Sequence, residues 1–227
     1  MSLKVIFFDA VGTLFYLPKG VGLHYSDGAR RHGCEIPAAV LQTAFSAVYR
    51  SMPPRPASRA ARPDDDKGWW RELVDRVLDR CPVEGGGKGA LDRGAYFEDV
   101  YAEFSKPGVW ELFPETRETL EALEPHFTLG IISNFDGRLR AILGHLGIAD
   151  RFRHLVISSE VGADKPDPWI FHRALKLAEV SAGEALFAGD DPTRDWEGGE
   201  ALGLRTFRLE RPGNSLRDVL GVVGVGK

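Results

Sequence analysis

The chain has 227 residues, 43% of them hydrophobic and 27% charged, with a formal net charge of −4. That composition belongs to a soluble globular protein of one large domain or one domain carrying an insert, and excludes a disordered chain. The acidic balance leaves no basic footprint for nucleic acid, and the apolar run from Val5 to Phe8 is too short for a signal-peptide core or a membrane span. In chain order, residues 3–9 read as a fully buried strand ending on Asp9. Helical periodicity then takes over at 22–32, at 37–52 with Val40, Leu41, Ala44 and Val48 on one side, at 69–81 with Trp70, Leu73, Val74, Val77 and Leu78, and at 90–104. The connectors 53–68, rich in proline, arginine and aspartate, and 83–89, rich in glycine, read as mobile loops. After residue 108 strands and helices alternate. Helices are expected at 114–123, 138–146, 168–178 and 195–202, and strands at 128–132, 155–158, 186–188 and 205–209. This rhythm predicts an α/β protein with a doubly wound parallel sheet. Residues 1–16 and 108–227 would form that core, and 17–107 an inserted all-helical domain.

Four polar groups directly follow apolar strands: Asp9, Ser133-Asn134, Lys165 and Asp190-Asp191. Ligands of open α/β sheets bind beyond the carboxyl ends of the strands, so these groups are expected to converge on one site. Any one of them alone reads as a helix cap or turn residue; their joint occurrence points to chemistry.

The stretches "FFDAVGTLF", "ISNFD", "KPDPWIF" and "GDDPTRDWEGGEALG", in this order, resemble the motifs of the haloacid dehalogenase superfamily of aspartate-nucleophile hydrolases. The resemblance covers the core. The helical insert lies where the superfamily's first type of cap domain belongs. It implies that Asp9 is the nucleophile, with Ser133 bonding an oxyanion and Lys165 neutralising the reacting group. Ala10 and Val11 would present backbone amides to the bound substrate, Asn134, beside Ser133, would also face the substrate, and Gly12 would provide the sharp turn. Mg²⁺, which prefers hard oxygens, would be held by Asp9, the backbone carbonyl of Val11, Asp190 and Asp195. Asp191 either joins them or caps the following helix. Thr13 is expected to stabilise its loop.

Position 11 departs from the pattern. The superfamily's phosphatases usually carry a second aspartate there, which protonates the leaving alcohol and then activates water. Valine can do neither. Three enzymatic readings remain. A 2-haloacid dehalogenase needs no acid, but the resemblance to that branch fails at Asp190, Pro192 and Phe171, where its members carry serine, asparagine and tyrosine. Phosphonoacetaldehyde-hydrolase-like chemistry needs a desolvated lysine in the insert, and Lys19, Lys67 and Lys88 all fall in apparent loops. A Mg²⁺-dependent phosphatase-type enzyme on a small phosphorylated metabolite is the favoured reading, because clustered carboxylates call for a cation. A catalytically silent binding or regulatory protein is the alternative from another class.

The remaining features have plainer readings. Cys34 and Cys81 lack CxxC spacing and fit a reducing cytoplasm, and the six histidines form no zinc pattern. "GGGKG" lacks phosphate-loop spacing. Trp69-Trp70 reads as one core anchor and one partly exposed ring, and Arg55, Arg59 and Arg62 as a solvated loop. The expected partner is a small-molecule substrate, with no nucleic acid and no membrane; the sequence assigns no oligomeric state.

Overall fold

The computed structural model describes residues 2–81 and 91–226. The connector expected at 83–89, with Lys88, and the first residue of the helix expected at 90–104 lie outside the described residues. β1 (Val5–Phe8) and the short β2 (Phe15–Tyr16) come first, followed by α1 (Gly20–Arg31), α2 (Ala38–Ser51), α3 (Lys67–Asp79) and α4 (Arg93–Glu103). Then come β3 (Glu111–Leu112), α5 (Thr116–Leu123), β4 (Thr128–Ser133), α6 (Arg138–His145), β5 (His154–Ile157), α7 (Ser158–Val161) and α8 (Pro168–Ala178). The chain closes with β6 (Ala185–Gly189), a π-helical turn (Pro192–Glu197), α9 (Gly198–Glu200), β7 (Arg205–Arg208) and α10 (Val219–Val223). Among the described residues no helix is long and apolar enough to cross a membrane.

Contacts divide the chain into two compact units: Met1–Tyr16, Pro56–Asp65 and Trp110–Lys227 in one, Leu17–Arg55 and Asp66–Val109 in the other. The first unit holds an all-parallel sheet in the order β5-β4-β1-β6-β7. β1 is central because every residue of Val-Ile-Phe-Phe is buried. Ile6 and Phe8 join Leu129, Ile131 and Leu186 in one apolar layer, while Val5 and Phe7 join Ile132 and Phe187 in the other. Strand periodicity with both faces apolar is what helices on both sides of a sheet require. α8 covers the second layer. Its bounds match the sequence expectation because its start is doubly marked: Asp167 accepts a hydrogen bond from the Trp169 amide, and Pro168 sits in the first turn.

The second unit is helical, and its core includes Tyr25, Leu41, Val48, Leu73, Val77, Tyr96 and Phe97. The expected stripes are buried at Leu41, Ala44, Val48, Leu73, Val74, Val77 and Leu78; Val40 and Trp70 are half-buried at their margins. Trp69 is half-buried as well, packed edge-on to Trp70 at 5.1 Å, so both rings share the anchoring role expected of one.

Three expectations are corrected. The loop 56–65 lies within the first unit and is tied down there: the Arg59 amide donates to the Gly162 carbonyl at 3.1 Å and the Arg62 amide to the Ser159 carbonyl at 2.7 Å. Arg55 and Arg62 are not solvated. The side chain of Arg55 is 7% exposed beside Asp66 and lies 4.4 Å over the Trp69 ring; that of Arg62 is equally buried, 3.4 Å from Asp164. A weakly hydrated planar guanidinium tolerates such burial once a ring or carboxylate faces it. Finally, the helix expected at 195–202 is replaced by the π-helical turn and α9, for a reason that belongs to the site.

Candidate active site

Asp9 leaves the end of β1, between the ends of β4 and β6. The chain passes from β1 to β4 and β5 on one side and later to β6 and β7 on the other, so Asp9 stands at the topological switch point of the sheet. Ser133 is the last residue of β4 and is buried; Asp190 follows β6 immediately. The sheet therefore brings these three to one edge, and the turn between α7 and α8 adds Lys165.

Lys165 organises the cluster. Its side chain is 2% exposed, and its Nζ donates to Asp9 Oδ1 at 2.6 Å and to Asp195 Oδ1 at 2.7 Å. Burial works against the lysine's charge, but Asp9 and Asp195 outweigh it and raise its pKa. One oxygen from each of Asp9, Asp190 and Asp195 falls within 4.8 Å of the others, a grouping able to hold a metal ion. The Asp9 carboxyl is pushed up to about 7, first by burial; Lys165 pulls it down, while Asp195 and Asp190 push it further up. Asp190 is also raised, by loss of hydration and then by Asp195, although much of its surface is open to solvent. Three carboxylates face one ammonium. Hard oxygen donors with an unmet demand for positive charge suit a small divalent cation such as Mg²⁺.

Local backbone explains why the carboxylates meet. Gly12 has φ +95°, and a Cβ there would collide with the Asp190 carboxylate, so only glycine lets the loop pass so close. Thr13, fully buried, donates its hydroxyl to Asp190 Oδ1 at 3.1 Å, the loop-stabilising role expected of it. Asp191 accepts from the amides of Thr193 and Arg194 and so caps the π-helical turn; it is not one of the three clustered carboxylates. The Asp195 amide donates to the Asp191 carbonyl at 3.0 Å and the Trp196 amide to the same carbonyl at 3.3 Å. That widened turn directs the Asp195 side chain inward. Its Oδ2 accepts from the Asp191 amide at 3.0 Å while Oδ1 meets Lys165, so both of its oxygens already have protein partners. A π turn at a functional site is a recurring device.

Asn134 does a job that its position did not reveal. Its Oδ1 accepts from the Lys165 amide at 2.6 Å and its Nδ2 donates to the Lys165 carbonyl at 2.9 Å. The side chain expected at substrate thus clamps the backbone of the key lysine. Ala10 is buried, its carbonyl accepting from the Leu14 amide at 2.8 Å. Val11 is 37% exposed, an aliphatic side chain at the open end of the loop. Sequence reasoning missed Asp65, whose carboxylate accepts from the Gly137 amide at 2.8 Å and from the Ser159 hydroxyl. It also missed Arg211, which pairs with Glu115 at 2.6 Å and donates to the Thr13 carbonyl at 3.4 Å. Such partners lie far apart in the chain, and no local pattern announces them.

Comparison with known proteins agrees with this geometry. A family model described as haloacid dehalogenase-like hydrolase matches residues 3–203. Haloacid dehalogenase-like hydrolase domain-containing protein 3 of Bos taurus is 31% identical over 214 residues, covering 93% of this chain and 84% of the bovine protein. Phosphoserine phosphatase of Thermus thermophilus is 32% identical over 145 residues, 63% of this chain and 57% of that enzyme. Among solved structures, the putative HAD-hydrolase YfnB from Bacillus subtilis, bound to magnesium, superposes with a TM-score of 0.77 at 15% identity, covering 99% of this chain and 100% of that one. The defluorinating L-2-haloacid dehalogenase Rha0230 gives 0.74 at 24% identity, covering 92% and 82%. At those identities the two structures speak for the fold.

Proposed function

The chain belongs to the haloacid dehalogenase-like hydrolase family, and we propose that within it this protein is a Mg²⁺-dependent phosphatase-type hydrolase of a small phosphorylated metabolite. The observation that carries this reading is the third carboxylate. Asp190 stands with Asp9 and Asp195 around a single lysine. A halide-releasing site needs no such excess of negative charge, and the family's dehalogenase branch carries serine at that position. Phe171, where the same branch carries tyrosine, is buried and packs edge-on against Phe187 at 5.6 Å, offering no hydroxyl.

The surroundings of the clustered residues support the following roles in this reading. Asp9 is the nucleophile, attacking phosphorus in line to give a covalent aspartyl intermediate. Lys165 fixes which oxygen of Asp9 is engaged and offers positive charge to the group in transfer; such donors are commonly worth about 3–4 kcal/mol in the transition state. Ser133 and the amides of Ala10 and Val11 would bond the phosphoryl oxygens. Asn134 holds Lys165 in place by both backbone groups and is a positioning residue. Asp9, Asp190, the carbonyl of Val11 and, behind them, Asp195 would hold the ion. Mg²⁺, when bound, supplies the missing positive charge, which favours ionised Asp9 and neutralises phosphoryl oxygens.

The test is a paired assay: phosphate release from p-nitrophenyl phosphate and chloride release from 2-chloropropionate, each with Mg²⁺ and with a chelator. Phosphate release that requires Mg²⁺ and disappears in Asp9→Asn is expected. Chloride release that survives the chelator overturns the reading in favour of a dehalogenase. Absence of both activities favours a silent scaffold.

A further inference from the structure

Resting on the phosphatase-type reading, we infer that Val11 makes breakdown of the Asp9 aspartyl-phosphate the slow step, and confines efficient substrates to phosphates whose leaving group departs as a stable anion, such as acyl and aryl phosphates. In the first half-reaction an Asp9 oxygen bonds to phosphorus, and the bond from phosphorus to the leaving oxygen breaks with its electron pair on that oxygen. An alkoxide needs a proton at that moment; a carboxylate or phenolate does not. In the second half-reaction water bonds to phosphorus, the bond from phosphorus to Asp9 breaks, and a proton of the water must pass to a base.

The groups clustered with Asp9 are committed elsewhere. The Lys165 ammonium donates to Asp9 and to Asp195. Both oxygens of Asp195 accept, one from Lys165 and one from the Asp191 amide. The Thr13 hydroxyl is given to Asp190 Oδ1, and the other Asp190 oxygen is required by the proposed ion site. The residue of this loop that opens to solvent is Val11, 37% exposed, and it has no proton to give or take. A positioned acid or base is typically worth about 10²–10⁴-fold in rate. A leaving group of low basicity spares the first half-reaction that loss; among the described groups clustered with Asp9, none spares the second. The phosphoenzyme therefore accumulates.

Rapid mixing of the Mg²⁺-loaded protein with p-nitrophenyl phosphate tests this, together with acid quenching and intact mass. The expected record is a burst of one p-nitrophenolate per chain, a slower steady rate, and protein heavier by one phosphoryl group, all absent in Asp9→Asn. Val11→Asp should abolish the burst and raise the steady rate by about 10²-fold or more. Val11→Asn, similar in shape but unable to exchange the proton, should retain the burst, which separates proton transfer from packing. Linear turnover with no gain in mass, lost in Asp9→Asn, overturns this inference and leaves the hydrolase reading standing. Phosphate release indifferent to Asp9→Asn, or neither release nor mass gain, overturns that reading and this inference with it.

Discussion

Lys165 faces two carboxylates within 2.7 Å while being almost wholly buried, so its removal should be costly in a defined way. Lys165→Met leaves Asp9 and Asp195 buried side by side without their cation. We expect kcat/KM on p-nitrophenyl phosphate to fall by about 10²–10³-fold, the loss typical of one transition-state donor. The raised pKa of Asp9 has a second consequence, visible without turnover. A carboxyl whose folded pKa lies above its unfolded value of 3.8 binds its proton more tightly when folded. Its contribution to stability is full below the unfolded value and is lost as pH rises through about 7. Burial lowers the pKa of His24 and His154, so these residues push the other way in an overlapping window. The informative quantity is therefore the difference between wild type and Asp9→Asn. In metal-free buffer, thermal denaturation should show wild type losing stability relative to Asp9→Asn between about pH 4 and pH 8; a difference that does not change with pH contradicts the assigned shift. Asp9 and Asp190 were legible in the sequence because strand-end position is a local property; Lys165, in the turn between α7 and α8, and Asp195, in the π-helical turn, were picked out by the family motifs instead. The clamp of Asn134 on Lys165 was not, since an amide beside a serine looks the same whether it faces substrate or backbone.

At the scale of elements, most boundaries follow from patterns a sequence carries. β1 is four apolar residues in a row, and α8 is announced by Asp167 and Pro168. Two elements escaped for physical reasons. β2 and β3 pair over only two residues each, too short for any periodicity. The π-helical turn arises because Asp195 turns back to Asp191 and Lys165, a tertiary demand that overrides the helical pattern of its sequence. The segment 56–65 is the most instructive miss. Proline, arginine and aspartate signal a loop, and it has no regular structure beyond a turn, yet Asp65 caps the start of α6 through Gly137 and ties it to Ser159 at the start of α7. Asp65→Ala removes both bonds and leaves the Gly137 amide without its acceptor. Chemical denaturation should show a loss of about 1–2 kcal/mol, the scale of a helix cap with one further hydrogen bond. An unchanged midpoint would mean that this segment is not what holds the two helix starts.

For the molecule as a whole, the sheet order places β1 between the two halves of a doubly wound fold, and the family match over residues 3–203 gives that fold its chemistry class. The helical unit has an aromatic and aliphatic core of its own. What the family does not decide is the cargo of the site, and there the proposal rests on charge: three carboxylates gather around one lysine, a grouping able to hold a divalent ion. Titration calorimetry of the purified full chain with Mg²⁺ tests that most directly. The account predicts one ion bound per chain, with binding abolished in Asp190→Asn and the fold retained by circular dichroism. No heat of binding to wild type at millimolar Mg²⁺, or equal binding by Asp190→Asn, would contradict it.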